Sequence, residues 1–412
     1  MVDVSGRAIG VAASGGHLEP GREEPPLIDS VASISQVDPA EWTQLAGENI
    51  LANYGLLRLI EETRVSPHPS RYFLARDSKG LAGAVICHVE DRKNADGAVL
   101  LGAHRLDRML FGKLADPARH LHMVSFPCLM CGTQISTAEP ILIRKGADAA
   151  ERKRITRALV DAIESAARRE GWAVCFRQVK REGSIIAEVL AERGYLRGFE
   201  LPTACLELGE EWKSFADYRK HLKESHPSTS DTISKEVKRG KKAGLVMEQI
   251  DKPEEVSASL HRLLEEHNIR HNQKPFSVRK EFFDRLKASM GERAVIYTAK
   301  IGEQLVGVQV KFQSGEDVIA WMIGIDQEAA RTAATYFNLS YNRLIEDAIT
   351  DGYRRIYYGP LLWEVKARRG CKAVEADFYL RARNGLQKAI LRPLLEMRSK
   401  RNDALSAEIR QH

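Results

Sequence analysis

The stretch FLARDSKGLAGAV at residues 73–85 has a counterpart in IYTAKIGEQLVGV at residues 296–308. Each consists of an apolar run, a short polar turn and a second apolar run with a glycine near its start. Apolar runs on either side of a turn rich in Asp, Ser and Gly predict a β-hairpin. The sequence therefore predicts the same hairpin twice.

A second set of matching stretches follows each hairpin. A helical pattern ends in REGW at 169–172 and another ends in TDGY at 350–353, and each precedes a strand-like run. Later helical patterns end in RGY at 193–195 and RGC at 369–371. Glycine ends many helices because it readily adopts the left-handed conformation. Each copy of this pattern has the length of a whole domain, whereas the repeats of a solenoid are much shorter. The sequence therefore indicates a duplicated α/β domain.

The repeat divides the chain into four parts. Residues 1–28 are rich in Gly, Pro, Glu and Ala without periodicity, which predicts a flexible leader. Residues 29–210 form the predicted first domain. Residues 211–385 form the second domain, which begins with a basic helical segment, and residues 386–412 form a basic helical tail.

The composition narrows the class of protein. Of 412 residues, 43% are apolar and 29% are charged, which is typical of a globular protein and excludes a fibrous or largely disordered one. No stretch has the apolar length of a membrane span, and the N-terminus lacks the apolar core of a signal peptide. Six scattered cysteines do not form a disulfide framework. We therefore expect a soluble, cytoplasmic protein.

The net charge of +6 is concentrated in two segments. Lys213–Lys242 contains nine Lys or Arg against four Asp or Glu, and Leu380–His412 contains eight against three. Such segments fit a polyanion such as nucleic acid, and solvated helix faces are the alternative. The residues predicted to contact nucleic acid are Lys235, Lys238, Arg239, Lys241 and Lys242.

Prolines are predicted to interrupt both basic segments. Pro227 predicts two short basic helices separated by a loop. The run Gly385–Arg410 predicts a basic amphipathic helix broken at Pro393, which would suit RNA, a partner or a membrane surface.

The order of hairpin, strand, long helix, strand, helix and last strand resembles N-acetyltransferases of the GNAT fold. Ile141–Lys145 resembles their central strand, Glu151–Gly171 their donor-side helix and Gly183–Tyr195 their late helix. Two such domains in tandem resemble the Fem-like aminoacyltransferases. The resemblance implies two domains, each with a mixed, mostly antiparallel sheet flanked by helices. It also implies an enzyme that forms amide bonds by acyl transfer.

The expected phosphate-binding loop is missing. GNAT enzymes that use CoA carry a glycine-rich turn whose amides hold the pyrophosphate at a helix N-terminus. The corresponding segments, residues 146–154 and 326–334, lack a Gly-x-Gly core. An anion can still bind Arg331 or the amides near Ala333. The departure makes acetyl-CoA a weaker candidate donor.

The segment YYGPLLWEVKARRGC at residues 357–371 carries the candidate catalytic residue. Fem-like enzymes have a Phe-Lys pair followed by a glycine here, and the resemblance makes Lys366 the cation at the reacting ester carbonyl, with Val365 in place of the aromatic residue. Acyl transfer passes through an oxyanion, which a fixed cation stabilises. Glu364 is a weaker candidate for proton transfer. The alternative for Lys366 is a helix-surface lysine.

Donor binding is predicted around the same segment. In this fold two strands part to admit the donor; glycines there admit a ligand and aromatic rings stack on a base. Arginines bind phosphate. The alternatives are core packing and exposed helix positions. Tyr336 and Tyr341 are five residues apart, so at most one faces the site. The candidate donor-binding residues are Trp321, Gly324, Arg331, Tyr357, Tyr358, Arg368 and Arg369.

One further cluster resembles a metal site by composition. His120, His122, Cys128 and Cys131 are four possible zinc ligands within twelve residues. The cluster lies just before a predicted core strand, where cysteines are commonly buried apolar residues. No metal is predicted.

The leading hypothesis is transfer of an aminoacyl group from aminoacyl-tRNA to an amine of a soluble small molecule or a peptidoglycan-precursor-like acceptor. The expected partners are aminoacyl-tRNA and this acceptor, with no cofactor required. One alternative is an N-acyltransferase that uses acyl-CoA as donor. The other is a non-catalytic binding protein on a tandem GNAT scaffold.

Overall fold

The computed structural model of the protein describes residues 25–65, 68–90, 127–132, 139–181, 183–200, 202–272, 278–360, 362–393 and 395–396. Most of the predicted leader, His120, His122 and the end of the predicted tail lie outside these residues. The first strand begins at Leu27, inside the segment predicted as leader.

The described residues alternate between strands and helices. The strands are β1 (Leu27–Val31), β2 (Ser70–Asp77), β3 (Gly80–Glu90), β4 (Cys128–Cys131), β5 (Ile141–Ile143), β6 (Ala173–Lys180), β7 (Leu196–Phe199), β8 (Thr203–Glu207), β9 (Leu245–Ile250), β10 (Ala294–Ile301), β11 (Gln304–Ser314), β12 (Asp317–Ile325), β13 (Arg355–Tyr358), β14 (Lys372–Val374) and β15 (Ala376–Arg381).

The α-helices are α1 (Pro39–Ala46), α2 (Tyr54–Glu62), α3 (Ala149–Glu170), α4 (Ile185–Glu192), α5 (Phe215–Ser225), α6 (Pro227–Lys242), α7 (Ser257–Asn272), α8 (Lys280–Met290), α9 (Gln327–Ala333), α10 (Leu344–Thr350) and α11 (Trp363–Arg368). A short helix, Thr335–Phe337, and a π-helical segment, Asn338–Arg343, precede α10. Residues 385–393 and 395–396 are helical and are called the C-terminal helix below.

The strands form two sheets. The first has the order β1-β2-β3-β4-β6-β15-β7, with β5 also paired to β3, and the second has the order β14-β8-β13-β12-β11-β10-β9. The pairs β4–β6 and β12–β13 are parallel, and the other paired strands are antiparallel. The predicted fold class, two α/β units with mixed and mostly antiparallel sheets, is confirmed.

The two halves exchange strands. β15, near the end of the chain, lies between β6 and β7 of the first sheet. β8, which follows β7 in sequence, lies between β13 and β14 of the second sheet. The predicted boundary at 210/211 therefore separates the halves in sequence order, while each sheet contains one strand from the other half.

Buried charges fix the exchanged strand β15. Asp377 is 1% exposed and pairs with Arg181 at 3.1 Å and Arg197 at 2.7 Å. Arg181 also pairs with Glu375 at 2.6 Å. Removing one partner from such a group leaves a buried charge without compensation, which makes the position of β15 specific.

The repeated hairpins predicted from the sequence are β2–β3 and β10–β11, and each contains a β-bulge. The glycine in each return strand allows close packing. A Cβ on Gly83 would lie 2.6 Å from Ile155 of α3, and one on Gly307 would lie 3.1 Å from Thr335. The long helix α3 is capped at its start by Asp148, whose carboxylate accepts from the Glu151 amide, and at its end by Gly171, with φ of 69°.

Helices cover both faces of each sheet. The first sheet packs against α3 and α4 on one face and against α1, α2 and the C-terminal helix on the other. The second sheet packs against α7 and α8 on one face and against α5 and α10 on the other. Side chains of α2 join the cluster formed by α7 and α8, so an apolar contact connects the two halves.

Both prolines differ from their predicted roles. α5 and α6 are the two expected basic helices, but only His226 separates them, because Pro227 occupies the first position of α6, where its missing N–H costs nothing. Pro393 is the last residue of the helical run 385–393, and residues 395–396 are helical again, so the described residues do not show the predicted break at this proline.

We expect Gly198→Ala to destabilise the strand exchange. Gly198 pairs with Phe378 of β15, and an added Cβ would overlap the Phe378 ring. Overpacking of this kind lowers the free energy of unfolding by about 2 kcal/mol, which chemical denaturation measures. Gly385→Ala is the control, because its Cβ meets nothing within 4 Å. Equal stability of the two variants would contradict the role of this contact.

Candidate functional site

The centre of the candidate site is an opening between β12 and β13. Their parallel pairing covers only Asp317–Ile319 against Arg355–Tyr357, although β12 continues to Ile325. The β11–β12 register shifts there, and Trp321 is the extra residue of the resulting bulge. Because a bulge bends its strand, β12 turns away from β13. We call this opening the notch.

Lys366 lies at the notch. It is 5% exposed, and its ammonium group donates a hydrogen bond to the carbonyl oxygen of Gly359, the residue after β13. Burial disfavours the charged form and lowers the pKa of Lys366 to about 8. An ammonium group has three donors, so two N–H groups remain for a ligand.

A left-handed turn places Lys366 there. α11 begins directly after Leu362, whose φ of 58° is unusual for a residue other than glycine. From α11 the Lys366 side chain reaches back to the carbonyl oxygen of Gly359. Uncommon backbone conformations of this kind occur often at functional sites.

Another face of α11 lines a groove of about 420 Å³. Three exposed cations lie on its walls, Lys235 and Arg239 of α6 and Arg368 of α11. The lining residues are Thr229, Thr232, Lys235, Glu236, Arg239, Phe337, Glu364, Val365, Arg368 and Arg369. α11 thus presents Lys366 to the notch and Glu364 and Arg368 to a cationic groove.

Glu364 and Arg368 form an exposed ion pair with a separation of 2.7 Å. Exposed pairs of this kind contribute little to stability, so either side chain is free to exchange its partner for a ligand. Glu364 lines the groove, whereas Lys366 is buried on α11.

Arg369 is held inside the protein. Its guanidinium pairs with Glu236 at 2.7 Å, and both side chains are about 5% exposed. It also lies over the rings of Phe337 and Tyr341, at 4.9 and 4.7 Å from their centroids. This environment does not fit the phosphate contact predicted for Arg369, because Glu236 already neutralises its charge.

Two buried asparagines complete this polar cluster. The Asn338 amide donates to the carbonyl oxygens of Glu236 and Ala333, both at 2.9 Å, and the Asn342 amide lies 3.4 Å from the Glu236 carboxylate. Both asparagines belong to the π-helical segment, a feature that is frequent at functional sites. Sequence reasoning missed Glu236, Asn338 and Asn342. Two asparagines four residues apart, and therefore on one face of a helix, were the available signal.

Two of the predicted aromatic donor contacts have packing roles. Trp321 lies against Phe312 and Phe282, with ring centroids 4.8 and 5.5 Å apart. Tyr358 is buried and stacks on Tyr341 at 5.0 Å. Tyr357 is half-buried on β13 and is the more accessible tyrosine of that strand.

Two further donor candidates, Gly324 and Arg331, have different surroundings: Gly324 packs against a helix, whereas Arg331 is exposed. A Cβ on Gly324 would lie 2.7 Å from the α7 backbone at Leu263 and Leu264, so a helix occupies the approach that was predicted for a ligand. Arg331 is exposed on α9, and its carbonyl oxygen accepts a hydrogen bond from Arg239.

All the predicted nucleic-acid contacts on α6 are exposed. Lys235 and Arg239, which are four residues apart, line the groove. Lys238, Lys241 and Lys242 lie outside the groove lining. One face of this basic helix therefore lines the groove, and its other lysines extend the positive surface beyond the groove.

The described residues contain no group of three or more side chains that could hold a metal ion. Cys128 and Cys131 are buried in β4, where burial raises the pKa of each thiol. His120 and His122 lie outside the described residues. Among the described helices, none is long and apolar enough to cross a membrane.

Residues 227–366 match the family model for a GNAT acetyltransferase domain. The matched segment begins with α6 and ends at Lys366, so it contains the groove-lining part of α6 and the notch. The match confirms the expected enzyme class, an acyltransferase. The comparison with curated proteins gives no match.

Solved structures with the same fold include FemX, with 10% identity, a TM-score of 0.53 and coverage of 85% of this chain and 96% of FemX. Another is the C-terminal domain of a protein described as a lysylphosphatidylglycerol synthetase from Agrobacterium fabrum. Its identity is 11% and its TM-score is 0.51, with coverage of 89% of this chain and 97% of that domain. These similarities confirm the predicted Fem-like tandem GNAT fold.

The adjacent residues Arg368 and Arg369 provide a matched test of the polar cluster. We expect Arg369→Met to lower the free energy of unfolding by about 3–5 kcal/mol, because it leaves the Glu236 carboxylate buried without its partner. Arg368→Met should change it by less than about 0.5 kcal/mol, since Arg368 is 62% exposed. Urea denaturation measures both values, and similar losses would refute the assignment of Arg369 as the internal cation.

Proposed function

We propose that the protein transfers an aminoacyl group from aminoacyl-tRNA to an amine, with the reacting ester carbonyl in the notch. The main support for this proposal is the buried ammonium group of Lys366, which lies where β12 and β13 part. The resemblance of residues 357–371 to Fem-like enzymes also assigns the catalytic cation to Lys366. The GNAT family match supports acyl transfer in this half of the chain.

The proposed reaction uses Lys366 to stabilise negative charge. The acceptor nitrogen attacks the ester carbonyl, a C–N bond forms and the carbonyl oxygen becomes an oxyanion. The Lys366 ammonium donates a hydrogen bond to that oxygen. Collapse of the intermediate breaks the C–O bond to the ribose, and the ribose oxygen takes the proton that leaves the attacking nitrogen. The product is an amide.

The position of Glu364 favours proton transfer within the substrate over proton transfer to this carboxylate. This carboxylate lines the groove, is paired with Arg368 and lies on another face of α11 from Lys366. A general base must reach the proton that it removes. We therefore assign Glu364 to the groove rather than to the reacting atoms.

The groove supplies the binding surface for the RNA. Lys235, Arg239 and Arg368 surround it, and arginine pairs with phosphate through two parallel hydrogen bonds. The other exposed lysines of α6 extend the positive surface along the helix. These cations support a phosphate-rich donor such as the acceptor end of tRNA. The proposed acceptor is a small-molecule or peptidoglycan-precursor-like amine, and no cofactor is required.

An acyl-CoA donor is the second candidate, and the match to an acetyltransferase family favours it. Against it, residues 326–334 lack the Gly-x-Gly core of a pyrophosphate loop. The carbonyl oxygens of Arg331 and Thr332, at the end of α9, accept hydrogen bonds from Arg239. Helix α6 therefore packs against the segment that lacks this loop.

We expect Lys366→Ala to lower the rate of aminoacyl transfer by at least about 100-fold, because the oxyanion loses its donor. The dissociation constant for tRNA should stay unchanged, since Lys366 lies outside the groove lining. Lys372→Ala is the control, because Lys372 is exposed and pairs with Glu207. Single-turnover transfer from charged tRNA measures the rate. Full activity of Lys366→Ala would exclude Lys366 as the catalytic cation.

The pH dependence gives a second test of Lys366. The ammonium form is present below a pKa of about 8 and is lost above it, so the transfer rate should fall as the pH rises through 8. In Lys366→Arg the guanidinium stays protonated, and the fall near pH 8 should disappear from whatever activity remains. An identical falling limb in this variant would assign the titration to another group.

We expect the double variant Lys235→Glu and Arg368→Glu to weaken tRNA binding. Each lost phosphate contact should reduce the slope of log K against log salt by about 0.7–0.9. Lys252→Glu is the control, because Lys252 is exposed and lies outside the groove lining. Filter binding at several salt concentrations measures the slopes. The proposal for the groove fails if the control and the double variant lose affinity equally.

A further inference from the structure

The C-terminal helix has an inner apolar face that anchors it to the first sheet. Leu391 and Leu395 are at most 2% exposed and pack with Phe378 and Leu380 of β15. The helix follows the exchanged strand β15 after a short connection, so its orientation is fixed by the sheet.

The same helix also has an outer apolar face. Leu386 is 75% exposed and Ile390 is 42% exposed, and the small or apolar residues Ala389 and Pro393 are exposed beside them. The spacing i, i+3, i+4, i+7 places these four side chains on one stripe. We call this stripe the outer face.

This clustering is unusual within the described part of the chain. The other exposed large apolar side chains of the described residues are far apart in the sequence: Leu27, Val246, Ile269 and Leu362. Single exposed apolar residues need no explanation, whereas neighbouring ones indicate an interaction surface.

Positive charge lies beside the outer face. Arg392 is exposed on one flank of the stripe, and Arg383 is exposed just before the helix. Lys388 is half-buried on the side towards the first sheet, where its ammonium group lies near Gly194. The sequence continues with Arg398, Lys400 and Arg401, and Glu396 is the one acidic residue between 383 and 401. An exposed apolar stripe with a basic flank has the pattern of a helix that lies in the interface of an anionic membrane.

We propose that the outer face of the C-terminal helix docks on an anionic lipid surface. The apolar stripe inserts among the acyl chains near the headgroups, and the flanking cations contact the lipid phosphates. The buried inner face keeps the helix attached to the first sheet, so the whole protein is held at the surface. This surface is independent of the notch and of the groove.

Flotation of the full chain with vesicles tests the proposal. We expect binding to vesicles that contain phosphatidylglycerol, little binding to pure phosphatidylcholine vesicles, and weaker binding at high salt. Leu386→Ser with Ile390→Ser should lower the bound fraction at least about tenfold, because the inserted apolar groups are lost. Val246→Ser with Ile269→Ser removes equally exposed apolar groups elsewhere and should leave binding unchanged.

A charge variant separates the two contributions. Arg383→Gln with Arg392→Gln should lower the affinity for phosphatidylglycerol vesicles about tenfold or more, since each charge near the surface contributes about 1 kcal/mol. Thermal unfolding of every variant checks that the fold is intact.

Three results would overturn the proposal. The first is unchanged vesicle binding by the Leu386→Ser and Ile390→Ser variant. The second is a wild-type dimer that this variant converts to a monomer without any vesicle binding, which would assign the face to a second copy. The third is loss of tRNA binding but not of vesicle binding in the charge variant, which would assign the flank to RNA.

Discussion

The exchange of β8 and β15 between the two sheets is the constraint on which the candidate site depends. β8, from the first half, pairs with β13. β13 ends at Tyr358, and the next residue, Gly359, accepts the Lys366 hydrogen bond through its carbonyl oxygen. β15, from the second half, completes the first sheet and leads into the C-terminal helix. Neither half therefore has a complete sheet alone. We infer that both halves must fold together before the notch has its shape.

Helix α11 and the turn after it accommodate two buried cations in opposite ways. Arg369 has a buried carboxylate partner and two aromatic rings, so its charge is compensated inside the protein. Lys366 has one backbone carbonyl as partner, and burial lowers its pKa to about 8. A buried cation without a carboxylate is costly unless a negative group arrives. This difference makes Lys366, rather than Arg369, the residue suited to a developing oxyanion.

Much of the architecture could be predicted from local sequence patterns, because hairpins, helix ends and their repetition are local features. The strand exchange could not, since a short apolar run such as β8 does not specify the sheet that it joins. Nor could the difference between Arg368 and Arg369, which depends on Glu236, 133 residues away. Gly324 was ambiguous because a glycine admits a ligand and a packed helix equally well, and the structure shows the helix.

The most direct measurement compares the dissociation constants of the wild-type protein for aminoacylated tRNA and for acetyl-CoA at low and moderate salt. We predict tRNA binding that weakens steeply with salt, because the groove cations release counterions from the RNA, and no measurable binding of acetyl-CoA. Saturable binding of acetyl-CoA without a preference for tRNA would contradict this prediction and would identify acyl-CoA as the donor.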